Sequence, residues 1–291
     1  IARVTAAYDG TETVMAIITS GGEVNYAAPT SGRTLGPVFD ILDFSPALEV
    51  DDAALSWQPL SASLGACLEI GLDHLRAVVA LTEARSYHPA ATFSLTRSAL
   101  VSAAHAVYLT SPPSSRDRQA RSLAYGREML NQRKQYNDEM AGTPGVERAL
   151  LIVSIRHVLM RLAGIEASRS RYGLSKRATT LPSTTKVVKH AAGVVFASGP
   201  EAAAHMTSHW MVTSSDAHAL PWGMLLRGHE TAGLQPPPQS GVIPVQVQGD
   251  PETTVRYFHL AALVTSWAMR RTRELRTVGR DPNAPTEVQP Y

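Results

Sequence analysis

The sequence predicts an all-α protein, a multi-helix bundle preceded by a small β-prone leader. Apolar residues recur at helical spacing through most of the chain, and Gly and Pro separate these stretches. Ala and Leu dominate the apolar residues, whereas aromatic residues make up only 6%; this composition favours helices over strands. With 291 residues, 44% of them hydrophobic, the chain is long enough to build a core without disulfides or metal.

The first 50 residues differ from the rest and form the predicted leader. Residues 11–18 are β-prone, the Ser20-Gly21-Gly22 triplet indicates a turn, and residues 24–27 can return as a second strand. We expect the helical bundle domain to cover residues 51–280 and a flexible tail to cover residues 281–291. The chain begins with Ile1 rather than Met, so we expect the native N-terminus to lie further upstream.

Three helices are predicted in the first half of the bundle. Asp51 and Asp52 can cap a short helix over residues 53–57, which Pro59 ends. Ser61 or Ser63 opens a helix to about residue 85, and His88-Pro89 starts another that ends near Leu109, before Pro112-Pro113. The second of these helices has an apolar stripe made of Leu64, Leu68, Leu72, Leu75 and Val79.

Five further helices complete the prediction. Ser114 or Ser115 caps a helix to about residue 140, with its inward side made of Leu123, Met129 and Leu130. A tight connection leads to a helix over residues 146–172, ended by Gly173 and followed by a polar loop. The last three helices are predicted over residues 186–196, 201–211 and 252–278, with a proline-rich excursion over residues 235–251.

Cysteine content and hydropathy exclude several classes of protein. The single cysteine, Cys67, excludes an intramolecular disulfide framework and cysteine-based zinc fingers, and its apolar surroundings predict a buried thiol. No apolar run approaches the roughly 20 residues of a membrane helix, and no secretion signal is present. We therefore expect a cytoplasmic protein with no membrane partner, no cofactor and no metal.

Charge is distributed unevenly along the chain. Residues 1–52 contain eight acids and two bases, which leaves 17 acids and 25 bases, a net charge of +8, for residues 53–291. A body with this charge can attract polyanions such as RNA. Solvated arginine-rich faces explain the same numbers without a partner.

Histidine and serine residues cluster between positions 205 and 218. His205 and His209 lie one helical turn apart, a spacing that can supply two metal ligands. Met206 stands where a zincin would have Glu, and we interpret both histidines as structural. Ser214, Asp216 and His218 have the residue types of a hydrolase triad, but no Gly-x-Ser-x-Gly elbow presents the serine.

A resemblance to known proteins rests on four short elements. The elements are the helix segment Ser94-Leu-Thr-Arg97-Ser-Ala-Leu100, its aromatic end Tyr108-Leu109, the arginines between Arg116 and Arg121, and Ser214-Ser-Asp-Ala-His218-Ala-Leu-Pro-Trp222. In this order they resemble a family of uncharacterised all-helical proteins of high-GC bacteria, distantly similar to HEPN domains.

The resemblance implies an interhelical pocket with Arg97, Arg121, Ser214 and His218 as candidate catalytic residues. Many HEPN domains act on RNA or bind nucleotides, and the ribonucleases among them have an Arg followed by four to six residues and then His. Seven residues separate Arg97 from His105 in this chain, so that signature is absent as written.

Three hypotheses for function follow. The first is a helical interaction module that binds a protein or nucleic-acid partner, in a defence or regulatory system. The second is a degenerate HEPN-like hydrolase directed at RNA. The third is a structural or assembly subunit whose β-prone leader pairs with a neighbouring subunit, and a homodimer through an exposed apolar face is also expected.

Overall fold

The computed structural model describes residues 46–53, 55, 59–86, 88–145, 147–218 and 251–277. This part of the chain is helical and contains no strand, which confirms the predicted all-α fold. Its helices are α1 (Pro46–Ala53), α2 (Leu60–Glu83), α3 (Pro89–Thr110), α4 (Ser115–Ala141), α5 (Arg148–Arg171), α6 (Thr184–Val195), α7 (Pro200–Ala217) and α8 (Pro251–Thr277). The leader over residues 1–45, the segment 219–250 and the tail beyond residue 277 lie outside the described residues.

Most helix boundaries agree with the sequence signals. Ser114 is the N-cap of α4, and its hydroxyl oxygen accepts a hydrogen bond from the backbone N–H of Asp117. Gly173 follows the end of α5 with a φ of 58°, a left-handed conformation that glycine adopts without strain. Cys67 is buried, as predicted.

The prediction for Asp51 and Asp52 was wrong, because both residues lie in the last turn of α1 instead of capping a helix over residues 53–57. Asp52 acts on the next helix: its Oδ1 accepts a hydrogen bond from the backbone N–H of Ser61 at 3.0 Å. The free N–H groups at the start of a helix can donate to any nearby carboxylate, including one from a preceding helix. Burial raises the pKa of the Asp52 carboxyl, whereas the hydrogen bonds that it accepts lower this pKa.

The α-carbon contacts divide the chain into two compact units. In described residues, the first unit contains 67–86, 88–107, 184–218 and 251–268. The second contains 46–53, 55, 59–66, 108–145, 147–183 and 269–277.

In the first unit, small residues let helices approach closely. Gly71 of α2 faces α3, where a Cβ on the glycine would lie 3.6 Å from the carbonyl oxygen of Ala99. Phe93 of α3 is fully buried and contacts Tyr257 of α8, with ring centroids 5.2 Å apart. Helices α6 and α7 pack on each other, and their buried side chains include Val187, Val188 and Met206.

In the second unit, α4 and α5 form an antiparallel helical hairpin. The pairs Arg127–Glu166 and Asn137–Ser154 run in opposite directions along the two helices. The core between and around them consists of Leu55, Ala120, Leu123, Leu130, Val158, Ile165 and Leu174. Met129 was predicted to face inward but is 40% exposed, because six residues place it about 120° around the helix from Leu123.

A buried ion pair holds α1 against α4. Arg118 Nε lies 2.6 Å from Asp51 Oδ2, and the two side chains are 5% and 0% exposed. Arg118 also donates from Nη1 to the carbonyl oxygens of Pro112 and Pro113, while Ser115 donates to the other carboxylate oxygen. Both carboxylate oxygens of Asp51, and Nε and Nη1 of Arg118, therefore have hydrogen-bond partners, and such pairing is the condition under which buried charges are tolerated.

Candidate functional site

The first unit brings two of the predicted site residues into contact. Arg97 is on α3, and its Nε donates a hydrogen bond of 2.9 Å to Ser214 Oγ on α7. Helix α7 was predicted to end near residue 211 but continues to Ala217, so Ser214 lies on a helix instead of a loop. This extension places Ser214 where a side chain from α3 can reach it.

The Ser214 hydroxyl both accepts and donates a hydrogen bond. It accepts from Arg97 and donates at 2.7 Å to the carbonyl oxygen of Trp210, one turn earlier on α7. Back-bonding of this kind is common for serine inside helices. Activation of a serine nucleophile requires a base that takes up its proton, whereas here the hydroxyl donates its hydrogen bond to a backbone carbonyl, which is not such a base.

His218 lies at the end of α7 with an exposed side chain. Its backbone N–H donates to the carbonyl oxygen of Ser214 at 3.1 Å. Among the described residues, the contacts of the Ser214 side chain come from Arg97 and Trp210 and not from the His218 imidazole. The predicted catalytic role of His218 stays a prediction.

Arg97 is a half-buried cation that has a hydroxyl where a carboxylate would be expected. Burial lowers the pKa of its guanidinium, and no acidic partner contacts it within the part of the chain that the structure describes. A cation without a counter-charge at a partly buried position favours the binding of an anion. Of the four predicted residues, Arg97 therefore has the clearest capacity to bind a ligand.

Arg121 belongs to the second unit and has partners of its own there. Its Nη1 donates to the carbonyl oxygen of Tyr108 at 2.5 Å and to Ser111 Oγ at 3.0 Å. Its guanidinium carbon also lies 4.3 Å from the centre of the Tyr108 ring, a cation–π distance. Burial lowers the pKa of Arg121, against the opposing effect of Tyr108 and Asp117. These contacts join the end of α3 to α4, which is a structural task.

The histidines of α7 take part in an aromatic cluster in the first unit. The His209 ring lies 4.0 Å from the Tyr257 ring and 6.2 Å from the His205 ring, measured between centroids. Burial, with smaller effects from His205 and Arg256, lowers the pKa of His209 to about 4.

No group of three or more metal-ligating side chains occurs among the described residues. None of the described helices is long and apolar enough to cross a bilayer.

The largest feature that the sequence prediction missed is the outer face of α5, the side turned away from its buried residues Val158 and Ile165. Between positions 150 and 163, the exposed residues of α5 are Leu150, Ile152, Val153, Arg156, His157, Leu159, Met160 and Ala163. The five large apolar side chains among them are 65, 64, 66, 49 and 51% exposed, in chain order. The signal was present in the sequence, because apolar residues occur all around this helix.

No known protein family, curated protein or solved structure matches the chain. The resemblance to HEPN-like helical proteins therefore stays a prediction.

Proposed function

We propose that the protein is a helical interaction module that binds a protein partner through the outer face of α5. The observation that carries this proposal is the exposure of five large apolar side chains, which together span about half of the circumference of one helix. Monomeric proteins seldom expose contiguous apolar patches of more than a few hundred Å². A helix that is apolar on all sides is ordinarily covered on all sides.

The chemistry of this face favours a protein over a nucleic acid. Nucleic-acid affinity comes from several Lys and Arg contacts to phosphates, but the stretch from Ile152 to Met160 contains a single arginine, Arg156. Aliphatic side chains such as Ile152 and Val153 offer only burial, which a complementary apolar surface supplies.

We do not extend the proposal to an RNA-directed hydrolase. That alternative needs a general base beside a nucleophile or a bound water, and the Ser214 hydroxyl donates to a backbone carbonyl. The lack of a carboxylate on Arg97 gives this region some capacity for anions, but binding an anion is not catalysis.

Cysteine protection tests the proposal directly. The chain contains one cysteine, which is buried, so a second cysteine introduced by Val153→Cys is easily followed by maleimide labelling. In extracts of the cells that make the protein, we expect Cys at 153 to react at least about tenfold more slowly than in dilute purified protein, because a partner covers it.

Gln135→Cys provides the matched control, since Gln135 is exposed on α4, outside the proposed interface. We expect this cysteine to react at the same rate in both samples. Equal labelling of the 153 position in extract and in dilute purified protein would contradict the proposal.

A further inference from the structure

Two of the three guanidinium nitrogens of Arg97 have no acceptor among the described residues. Nε donates to Ser214 Oγ at 2.9 Å, whereas Nη1 and Nη2 make no hydrogen bond or ion pair within this part of the chain. The buried unpartnered side-chain atoms of the first unit include Trp210 Nε1 and His209 Nδ1 but neither terminal nitrogen of Arg97. Nη1 and Nη2 are therefore in contact with solvent, and a small solute can reach them.

Ser214 fixes the orientation of this guanidinium. Its hydroxyl accepts from Arg97 Nε and donates to the carbonyl oxygen of Trp210 at 2.7 Å, so the serine oxygen is itself anchored to the backbone of α7. Because the guanidinium is planar and Nε is engaged, the edge formed by Nη1 and Nη2 remains for a ligand. The N–H groups of this edge are parallel, an arrangement that matches the two oxygens of a carboxylate.

We propose that Arg97 and Ser214 form a binding site for a singly charged carboxylate between α3 and α7. Nη1 and Nη2 of Arg97 donate to the two carboxylate oxygens, and Ser214 is a positioning residue that holds Nε. The inference concerns the first unit and does not depend on the partner proposed for the outer face of α5. Its failure and the failure of the proposed function are therefore separate results.

Partial burial is the reason why Arg97 favours a bound anion. Burial lowers the pKa of its guanidinium, which means that removal from water destabilises the charged form. Charge-assisted hydrogen bonds to an anion offset this loss. Arg133 on α4 has the same kind of protein partner, since its Nη2 donates to Ser154 Oγ at 3.3 Å, but its side chain is exposed. Water solvates the Arg133 charge, and we expect no ligand there.

The charge of the site favours a carboxylate over a phosphate. Within the described residues, burial lowers the pKa of Arg97 without a contribution from a second basic side chain, so the site has a single cation. Ser214 lies in the last turn of α7, which ends at Ala217, and the last carbonyls of a helix have partial negative charge. The single charge of a carboxylate is matched by Arg97, whereas the second charge of a phosphate dianion is unpaired and repelled.

Saturation-transfer NMR of the purified full chain with acetate as the probe tests this inference. Acetate is titrated against chloride at constant ionic strength, so that general salt effects stay constant. We expect saturable transfer to the acetate methyl group with a dissociation constant on the order of 10 mM, because the site offers one partly exposed ion pair. Arg97→Met, which keeps the length of the side chain and removes the donors, should weaken binding by about tenfold or more.

Two milder variants test the fork geometry and keep the inference falsifiable if Arg97→Met does not fold. Arg97→Lys retains the charge but lacks the parallel N–H groups, and Ser214→Ala leaves the guanidinium free to turn. Each should weaken acetate binding by roughly threefold to tenfold. Unchanged acetate affinity in both variants would contradict the proposed geometry.

Arg133→Met is the matched control, because it removes an arginine that also donates to a serine but is exposed. It should leave acetate binding unchanged. A wild-type chain with no saturable signal up to about 100 mM acetate would overturn the inference, and so would binding that persists in Arg97→Met or falls equally in Arg133→Met.

Competition with inorganic phosphate tests the chemical class of the ligand. We expect phosphate to displace acetate only at concentrations at least about threefold higher than those at which acetate itself binds, because its second charge is unpaired at this site. Displacement at equal or lower phosphate concentrations would contradict the assignment to a carboxylate.

Discussion

Two arginines, one in each unit, are held in opposite ways. Arg118 in the second unit is 5% exposed and bound to the Asp51 carboxylate, with two backbone carbonyls completing its contacts. Arg97 in the first unit is half-buried and donates to the Ser214 hydroxyl at 2.9 Å. Among the described residues, no carboxylate contacts it.

The difference separates a structural charge from an available one. A guanidinium that is taken out of water needs a counter-charge and hydrogen-bond acceptors, and Arg118 has the Asp51 carboxylate and two backbone carbonyls. A half-buried guanidinium keeps contact with water and can do without a counter-charge. Removing a partner should therefore destabilise the protein much more at Arg118 than at Arg97.

The largest effect is expected for Asp51→Asn. The substitution keeps the shape of the side chain but removes the negative charge, which leaves Arg118 buried without a counter-charge. Breaking a buried pair in this way costs about 3–5 kcal/mol. Chemical denaturation of the variant and the wild type, followed by circular dichroism, measures the difference.

The control for this prediction is Glu166→Gln, which breaks two partly exposed ion pairs in the same unit. Glu166 is 40% exposed and contacts Arg127 and Arg169, so we expect a loss of about 1 kcal/mol or less. Similar losses for the two variants would show that burial of the Asp51–Arg118 pair has little energetic weight.

Local signals in the sequence predicted most of the fold. Ser114, Pro89 and Gly173 act within a few residues of the helix ends that they mark, so the local sequence is enough to predict these ends. Asp52 was misread because its carboxylate reaches Ser61 on the following helix. The end of α7 was missed because Thr213, Ser214 and Ser215 have low helix propensity, while in the structure their hydroxyls donate to backbone carbonyls of the preceding turn.

The candidate sites were harder to predict because they depend on contacts between distant segments. Arg97 and Ser214 are 117 positions apart, and no spacing rule joins them. Arg118 was one of several arginines at the start of a helix, and only its burial against Asp51 sets it apart. The outer face of α5 required knowledge of which side α4 covers, which composition alone does not reveal.

Acidification is expected to lower the stability of the unit that contains Arg97 by an intermediate amount. Burial lowers the pKa of His209 and of His105 in this unit to about 4, below the unfolded value of about 6.5. Between these values the unfolded chain binds more protons than the folded chain, so stability falls as the pH drops from about 6.5 to about 4 and is constant above that window. For His209, which retains some contact with solvent, we expect a loss of about 1–2 kcal/mol.

His209→Phe should reduce this pH dependence, because phenylalanine can pack on Tyr257 without taking up a proton. The free energy of unfolding at pH 7 and at pH 5 provides the measurement. His157→Gln, at an exposed position on α5, should retain the wild-type slope. A variant at 209 with an unchanged slope would assign the acid sensitivity to other groups.

The smallest effect is expected for Ser214→Ala. The substitution removes the hydroxyl that Arg97 contacts, but a half-buried guanidinium can turn to water, so we expect a loss of about 1 kcal/mol or less. Arg97→Met, which keeps the length of the side chain and removes the charge, should be similarly mild or slightly stabilising because it removes a desolvated cation. Thermal and chemical unfolding of both variants beside Asp51→Asn completes the comparison. A loss at Ser214 as large as that at Asp51 would mean that Arg97 depends on its hydroxyl partner as Arg118 depends on its carboxylate, and the distinction between a structural and an available arginine would fail.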